Sequence, residues 1–408
     1  MATESLESLR TGVYREFYEG LLPFWRTQVL DYQHGGFIGR MSNDLTIDRR
    51  APKGLILNTR LLWTYSALFR YTEDDSFLTL ARRAYEHLNT HFLDEKFGGA
   101  FWFIDAQGTV LDGKKKTYGH AFFIYALVEY VLATQDKAAE KLAIDLFNIV
   151  EQHTYDSEFK GYLETFERNW SEAEDARLSS IDMNEKKSMN THLHVLEAYT
   201  HLYRIWKNKT LELKLNELIH VFLDYIVDPT TFHFKLFFDP PWNSKSDRIS
   251  FGHDIEGSWL LCEAADVLGD AELQAKVRDV ALNMASAVLK SGVDRDGGIF
   301  YEGEPTGIVD SDKHWWPQAE GVVGFLNAYQ LTHDEQYLNA AIKTWDFIEK
   351  YIIDKKDGEW FWSVSKDHKP STDQPKVSEW KSPYHNCRAC MEILTRIPKI
   401  ESTLASEE

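Results

Sequence analysis

Six short aromatic segments recur at nearly even spacing along the 408-residue chain. They read GGFIGRM from Gly35, GGAFWFID from Gly98, GYLETFERNW from Gly161, HFKLFFDPPW from His233, GGIFYEGE from Gly297 and GEWFWSVSKD from Gly358, with starts 61 to 72 residues apart. Self-similarity at a fixed period marks a repeat architecture. The period therefore constrains the fold more tightly than length does, since length alone suggests two or three domains.

Between these segments the pattern changes from alternation to helical spacing, with two helical stretches in each period. One kind is apolar almost all round: 57–70, 118–133, 190–206, 252–268, 315–331 and 384–397. The other is amphipathic: 5–30, 75–92, 137–153, 211–226, 271–291 and 334–353. A helix apolar on every side has to be buried, whereas an amphipathic one shows half its surface to water. Six of the first inside six of the second predict an all-α (α/α)6 barrel, a single domain over residues 1–408 with its short strands or loops gathered at one end. The longest insert, 167–189, is dominated by charge and is expected to form an ordered or mobile flap over the barrel mouth.

Composition narrows the function. With 45 basic and 64 acidic residues the formal net charge is −19, which argues against nucleic acid, because a phosphate backbone is gripped by clustered Lys and Arg. Three cysteines, Cys262, Cys387 and Cys390, fit a reducing cytoplasmic setting. The charged start MATESLESLR lacks the apolar core of a signal peptide, and no apolar run reaches the roughly 20 residues that cross a bilayer, so no membrane partner is expected. The charged outer helices favour a monomer.

The chemistry is expected where the six inner helices begin. In chain order these carry LNTRLLW with Arg60, KKTYGHAFF with Tyr118, MNTHLHVLEAY with Asn190 and His194, FGHDIEGSW with His253 and Glu256, HWWPQAEG with Trp315, Trp316 and Glu320, and EWKSPYHNCRA with Trp380 and His385. In a barrel all six starts converge on one funnel, and a polar group on an otherwise apolar helix needs a partner or a task.

A lone helical histidine is ordinarily a satisfied core residue. Three at corresponding places of separate repeats are expected to share a cavity, where His194, His253 and His385 could exchange protons at physiological pH. His192 and His194 point about 200° apart round a helix and cannot clasp one ion. Cys387, Cys390 and His385 lack the four-ligand spacing of a zinc site, so no metal is expected. The Cys387–Cys390 pair also lacks the βαβ context of a redox motif. Glu256, three residues after His253, shares its helix face and would orient that imidazole or bind a substrate hydroxyl; Glu320 holds the equivalent place in the next repeat. Arg60 reads as a hydroxyl or oxyanion clamp, since no glycine-rich phosphate loop accompanies it. Trp315, Trp316 and Trp380 are either core or flat platforms of the kind that suit sugar rings.

The strings MNTHLHVLEAY, FGHDIEGSWLL, HWWPQAEG and EWKSPYHNCRACME, in order along the whole chain, closely resemble the cellobiose 2-epimerase branch of the N-acylglucosamine 2-epimerase superfamily. The resemblance implies an (α/α)6 barrel and a cofactor-independent epimerisation at C2 of the reducing-end sugar of a β-1,4-linked disaccharide: cellobiose, lactose or mannobiose. It implies that His385 and His253 are the acid/base pair and that His194 assists at O1 and O2. Arg60, Tyr118, Asn190, Glu256, Trp316 and Trp380 fall where the family holds its sugar. Mannose epimerases and aldose–ketose isomerases of the superfamily share the histidines, so the reaction class is better marked than the substrate.

Two readings of other classes stay open. A glycoside hydrolase on this barrel would use two carboxylates from among Asp254, Glu256 and Glu320, but would leave three histidines without a task. A non-catalytic sugar-binding barrel would need only the tryptophans and Arg60.

Overall fold

The computed structural model describes residues 2–407. Helix α1 (Ala2–Arg15) continues through a π-helical turn (Glu16–Leu21) into α2 (Leu22–Thr27). Helices then alternate as α3 (Leu55–Thr72), α4 (Asp75–His91), α5 (Thr117–Thr134), α6 (Lys137–His153), α7 (Met189–Ile205) and α8 (Lys209–Val221). The series ends with α9 (Phe251–Leu268), α10 (Ala271–Ser291), α11 (Trp315–Thr332), α12 (Glu335–Phe347) and α13 (Tyr384–Glu407). Helices α3, α5, α7, α9, α11 and α13 pack each on the next, and α13 returns to α3, so the inner ring closes. The remaining helices surround it, giving an (α/α)6 barrel.

Burial follows the periodicity. In α5 every residue from Thr117 to Val131 is buried, whereas α4 buries only Phe77, Leu80, Ala81, Ala84, His87 and Leu88, one stripe of its surface. Each inner-to-outer turn is encoded locally. Asp74, Asp136, Asn208, Asp270 and Asp334 accept first-turn backbone N–H groups at the starts of the outer helices. Immediately before the aspartates, Glu73, Gln135, Gly269 and His333 end their inner helices in the left-handed conformation.

Two expected boundaries differ. The stretch 5–30 is interrupted by the π-helical turn just before Pro23, whose nitrogen has no hydrogen for the helical ladder. Helix α13 runs past 397 to Glu407 with Pro398 inside it. Among the described residues no helix is long and apolar enough to cross a membrane.

The six aromatic segments form six hairpins, each closed by an antiparallel bridge, from Leu30–Phe37 round to Ile353–Trp360. The short strand before an inner helix pairs with the next hairpin, as Lys53–Gly54 does with Phe103–Ile104 and Lys187–Ser188 with Phe237–Phe238. A bridge from Met41 to Val377 joins first repeat to last. Beneath the hairpins lie ion pairs made by buried lysines, Lys53–Asp31, Lys115–Asp94, Lys187–Asp156, Lys313–Asp294 and Lys376–Asp354.

His192 belongs to this scaffold. Its Nε2 accepts the Tyr162 N–H at 2.8 Å and its Nδ1–H donates to the Ser188 carbonyl at 2.6 Å. Gly161 makes room for the ring: a Cβ there, at φ +75°, would stand 2.6 Å from Nε2. His120 does the same work in α5, accepting from the Ala100 N–H at 2.9 Å. At the equivalent place in α11 a glutamine does it, since Gln318 accepts the Ile299 N–H at 2.7 Å and donates to the His314 carbonyl at 3.0 Å. Burial pushes His192 down to about 3 and His120 to about 4. An imidazole titrates near 6.5 in the unfolded chain, which therefore takes up protons first as pH falls. Each of these histidines then removes about 1.4 kcal/mol of stability per pH unit, from about 6.5 down to its folded value. His192→Gln, borrowing the Gln318 solution, should fold and show a shallower loss in urea unfolding between pH 7 and pH 5. An unchanged slope would contradict this account.

Candidate active site

The starts of the inner helices surround a cavity of about 650 Å³, within the roughly 300–1,000 Å³ typical of small-molecule sites. Of the residues singled out in the sequence, Arg60, Tyr118, Asn190, His194, His253, Glu256, Trp315, Trp316, Trp380 and His385 line it, and Glu320 does not. The insert lies across the mouth, where Leu178, Ser179, Ile181 and Asp182 complete the wall. It is pinned by Trp170, which donates to the Phe97 carbonyl at 2.8 Å and stacks on His153 at 4.5 Å.

The three histidines are not at corresponding places. His253 is the third residue of α9, whereas His194 is the sixth of α7, one helical turn deeper and level with Glu256 in α9 and Glu320 in α11. His253 and His385 share one indole: Trp316 lies 4.6 Å from the first ring and 5.6 Å from the second, centroid to centroid. Gly252 permits this, because a Cβ there would meet the Trp316 ring at 2.5 Å.

Each imidazole is oriented from behind. His385 Nδ1 lies 2.7 Å from Glu320 Oε1 and His194 Nδ1 lies 3.0 Å from Glu197 Oε2. A carboxylate can only accept, so in both rings Nδ1 carries the hydrogen and Nε2 is left with its lone pair. His253 Nδ1 lies 2.7 Å from the Ser250 hydroxyl. Burial, then the charges of Arg60 and Arg388, hold His385 well below the usual imidazole range. Burial, with His194, His385 and Arg60, pushes His253 down to about 3. Burial also lowers His194, against the pull of Glu197. All three rings are neutral at pH 7, ready to accept a proton.

Arg60 donates to the Tyr118 hydroxyl at 3.0 Å and to the Trp380 carbonyl at 3.2 Å, its guanidinium lying over the Phe122 and Tyr384 rings. Its Nε and the Asn190 Oδ1 are buried without partners among the described residues. Such groups are left for a ligand to satisfy. Trp315 packs against Trp362 with its Nε1 unpartnered.

Glu320 corrects the expectation drawn from its register. It sits behind His385, accepting from Nδ1, from Arg388 at 2.6 Å and from the Trp259 indole at 3.1 Å, and cannot bind a substrate hydroxyl from the wall. Three further residues of this network escaped the sequence reading. Arg388 donates to Glu197, Glu256, Glu320 and Tyr384, and the Tyr384 hydroxyl donates to Glu197. A signal for two of them existed. Each histidine is followed three residues later by a charged one, as His194–Glu197, His253–Glu256 and His385–Arg388, and only the middle pair drew notice.

Potential ligand atoms of Glu256, Glu320 and His385 lie within 4.8 Å of one another, a spacing that could hold a cation. Arg388 Nη2 already sits 2.6 Å from both carboxylates and supplies that positive charge. Asp254 is turned away, accepting from His233 at 2.7 Å and from the Phe234 N–H at 2.7 Å. Hydrolysis needs two carboxyl groups facing one glycosidic bond, and of the three candidates only Glu256 faces the cavity. The three cysteines are free and buried in the core.

Comparison with known proteins agrees with this geometry. The N-acylglucosamine 2-epimerase (GlcNAc 2-epimerase) family profile matches residues 36–389. A cellobiose 2-epimerase from Bacteroides fragilis is 45% identical over 389 residues, covering 95% of this chain and 99% of its own. One from Dictyoglomus turgidum is 37% identical, covering 96% and 100% respectively. The solved structure of cellobiose 2-epimerase from Bacillus thermoamylovorans superposes with a TM-score of 0.91 at 37% identity, over 96% of this chain and 100% of that one. The barrel, the order of its motifs and these full-length relatives together place the chain in the N-acylglucosamine 2-epimerase family.

Proposed function

We propose that the protein epimerises C2 of the reducing-end glucose or mannose of β-1,4-linked disaccharides such as cellobiose, lactose and mannobiose, without a cofactor. The observation that carries the reading is a pair of neutral imidazoles, a half-buried His253 and a buried His385, held against the one Trp316 indole in a cavity of sugar size. The family membership and the names of the full-length relatives support it.

The chemistry explains why two bases are wanted. The C2 hydrogen of an aldose is acidic only when the ring is open and C1 is a carbonyl. One imidazole then takes the C2 proton, leaving a cis-enediolate whose charge needs nearby donors. Arg60 is assigned that stabilisation, together with His194 once its Nε2 has taken up a proton, as from O1 when the ring opens, and can donate. Inversion is completed when the second imidazole, which has taken up a proton from solvent at its cavity-facing nitrogen, delivers it to C2 from the opposite face, while the first returns the proton it removed to solvent. A neutral histidine serves as base in one direction, and its protonated form as acid in the other.

The test is incubation with lactose or cellobiose in deuterated water containing EDTA, followed by NMR. Epilactose or glucosyl-mannose carrying deuterium at C2 is the expected product. Free monosaccharides would instead indicate hydrolysis, a ketose as sole product an aldose–ketose isomerase, and binding without turnover a sugar-binding role. Each would overturn the proposal.

A further inference from the structure

Three glutamates, Glu197 from α7, Glu256 from α9 and Glu320 from α11, converge on Arg388 behind the cavity wall, all of them almost completely buried. Their donors are unequally shared. Glu320 accepts from His385, Arg388 and Trp259, and Glu197 accepts from His194, Tyr384 and Arg388. Three donors apiece are what an ionised carboxylate needs when it is removed from water. Glu256 has one: its Oε1 accepts from Arg388 Nη2 at 2.6 Å, and its Oε2 is buried with no partner among the described residues.

Charge counting points the same way. Among the described residues the buried cations of this region are Arg388, which contacts all three carboxylates, and Arg60, which bonds instead to Tyr118 and the Trp380 carbonyl, and the three histidines are neutral. Two guanidiniums balance two carboxylates, and a third ionised carboxylate would be a buried charge without a counter-ion. We propose that Glu256 keeps its proton in the resting protein and offers Oε2–H to the sugar as a neutral hydrogen-bond donor. The electrostatics agree. Burial, then the neighbouring Glu320, raises Glu256 well above the carboxylate range; burial raises Glu320 as well, but less far, against the pull of Arg388, whereas Arg388, His194 and Tyr384 overcome the burial of Glu197 and hold it at about 2.

The use of that donor rests on the epimerisation reading. An ionised carboxylate in the wall would repel an enediolate, whereas a carboxylic acid kept neutral by its site donates to the oxyanion. Glu256 therefore adds a third donor beside Arg60 and His194, and the fixed charges of the network remain behind the wall.

The test uses the full-length protein labelled with ¹³C at glutamate Cδ. The spectrum of Glu256→Gln at pH 7 should lack one resonance at the position of a protonated carboxyl. If the missing resonance is that of an ionised carboxylate, the proposal is overturned. In the C2 assay Glu256→Gln, which keeps an N–H donor and an acceptor for Arg388, should stay within roughly tenfold of wild type, while Glu256→Ala should lose about 10²-fold or more. Equal loss in both would also overturn it. Failure of the wild-type protein to epimerise any disaccharide would remove the functional reading but leave the resonance assignment intact, so the two failures are distinguishable.

Discussion

Replacing His385 with asparagine should lower C2 epimerisation by about 10³-fold, within the range for loss of a general acid/base, and His253→Asn should match it. Asparagine keeps a polar side chain in a wall that touches the cavity, so circular dichroism and the thermal midpoint should change little. The two variants should differ in what survives. With one imidazole gone, the other can still take a proton from the face it reaches and return deuterium to the same face. Each variant should therefore exchange C2 hydrogen in one epimer only, His385→Asn in one of the glucose and mannose forms and His253→Asn in the other. Exchange of both epimers by a single variant would mean that one base serves both faces. Full epimerisation by either would remove that residue from the mechanism.

Arg388→Met should be the most damaging single change to the network. Burial opposes the Arg388 charge, but the carboxylates of Glu320 and Glu197 hold it on. Removing it leaves Glu197 and Glu320 as buried carboxylates with no adjacent cation, and breaking a buried pair in this way costs about 3–5 kcal/mol. Activity should fall as well, because Glu197 and Glu320 set the tautomers of His194 and His385. Once protonated, they could no longer hold Nδ1–H as acceptors of the same strength. Arg388→Lys should rescue the charge without the planar fork that reaches several acceptors at once, giving intermediate stability and activity. A thermal midpoint and C2 rate unchanged in Arg388→Met would show that the cluster carries no net electrostatic load.

Glu320 and Arg388 mark where the reading of the sequence ran out. Glu320 has the same helical register as Glu256, so in the sequence both looked like hydroxyl ligands; in the folded protein one faces the cavity and the other lies behind His385. Arg388 meets Glu197, Glu256 and Glu320 across 191, 132 and 68 residues of chain. His194 was assigned to the site, but its depth was not, since matching inner helices residue by residue requires knowing where each begins in space.

The sequence by itself determined the ring of six inner and six outer helices, because burial of a helix is written in how apolar residues repeat along it, and aspartate or asparagine caps end each inner-to-outer turn locally. It also placed Arg60, His194, His253 and His385 at one end, because every repeat turns inward at the same point of its period. Only the tertiary structure decided which glutamate meets the cavity, which holds an imidazole, and which one is left with a single donor. Those outcomes depend on non-local competition for one buried guanidinium, and a buried charge answers to whatever partners the folded chain brings within hydrogen-bond reach.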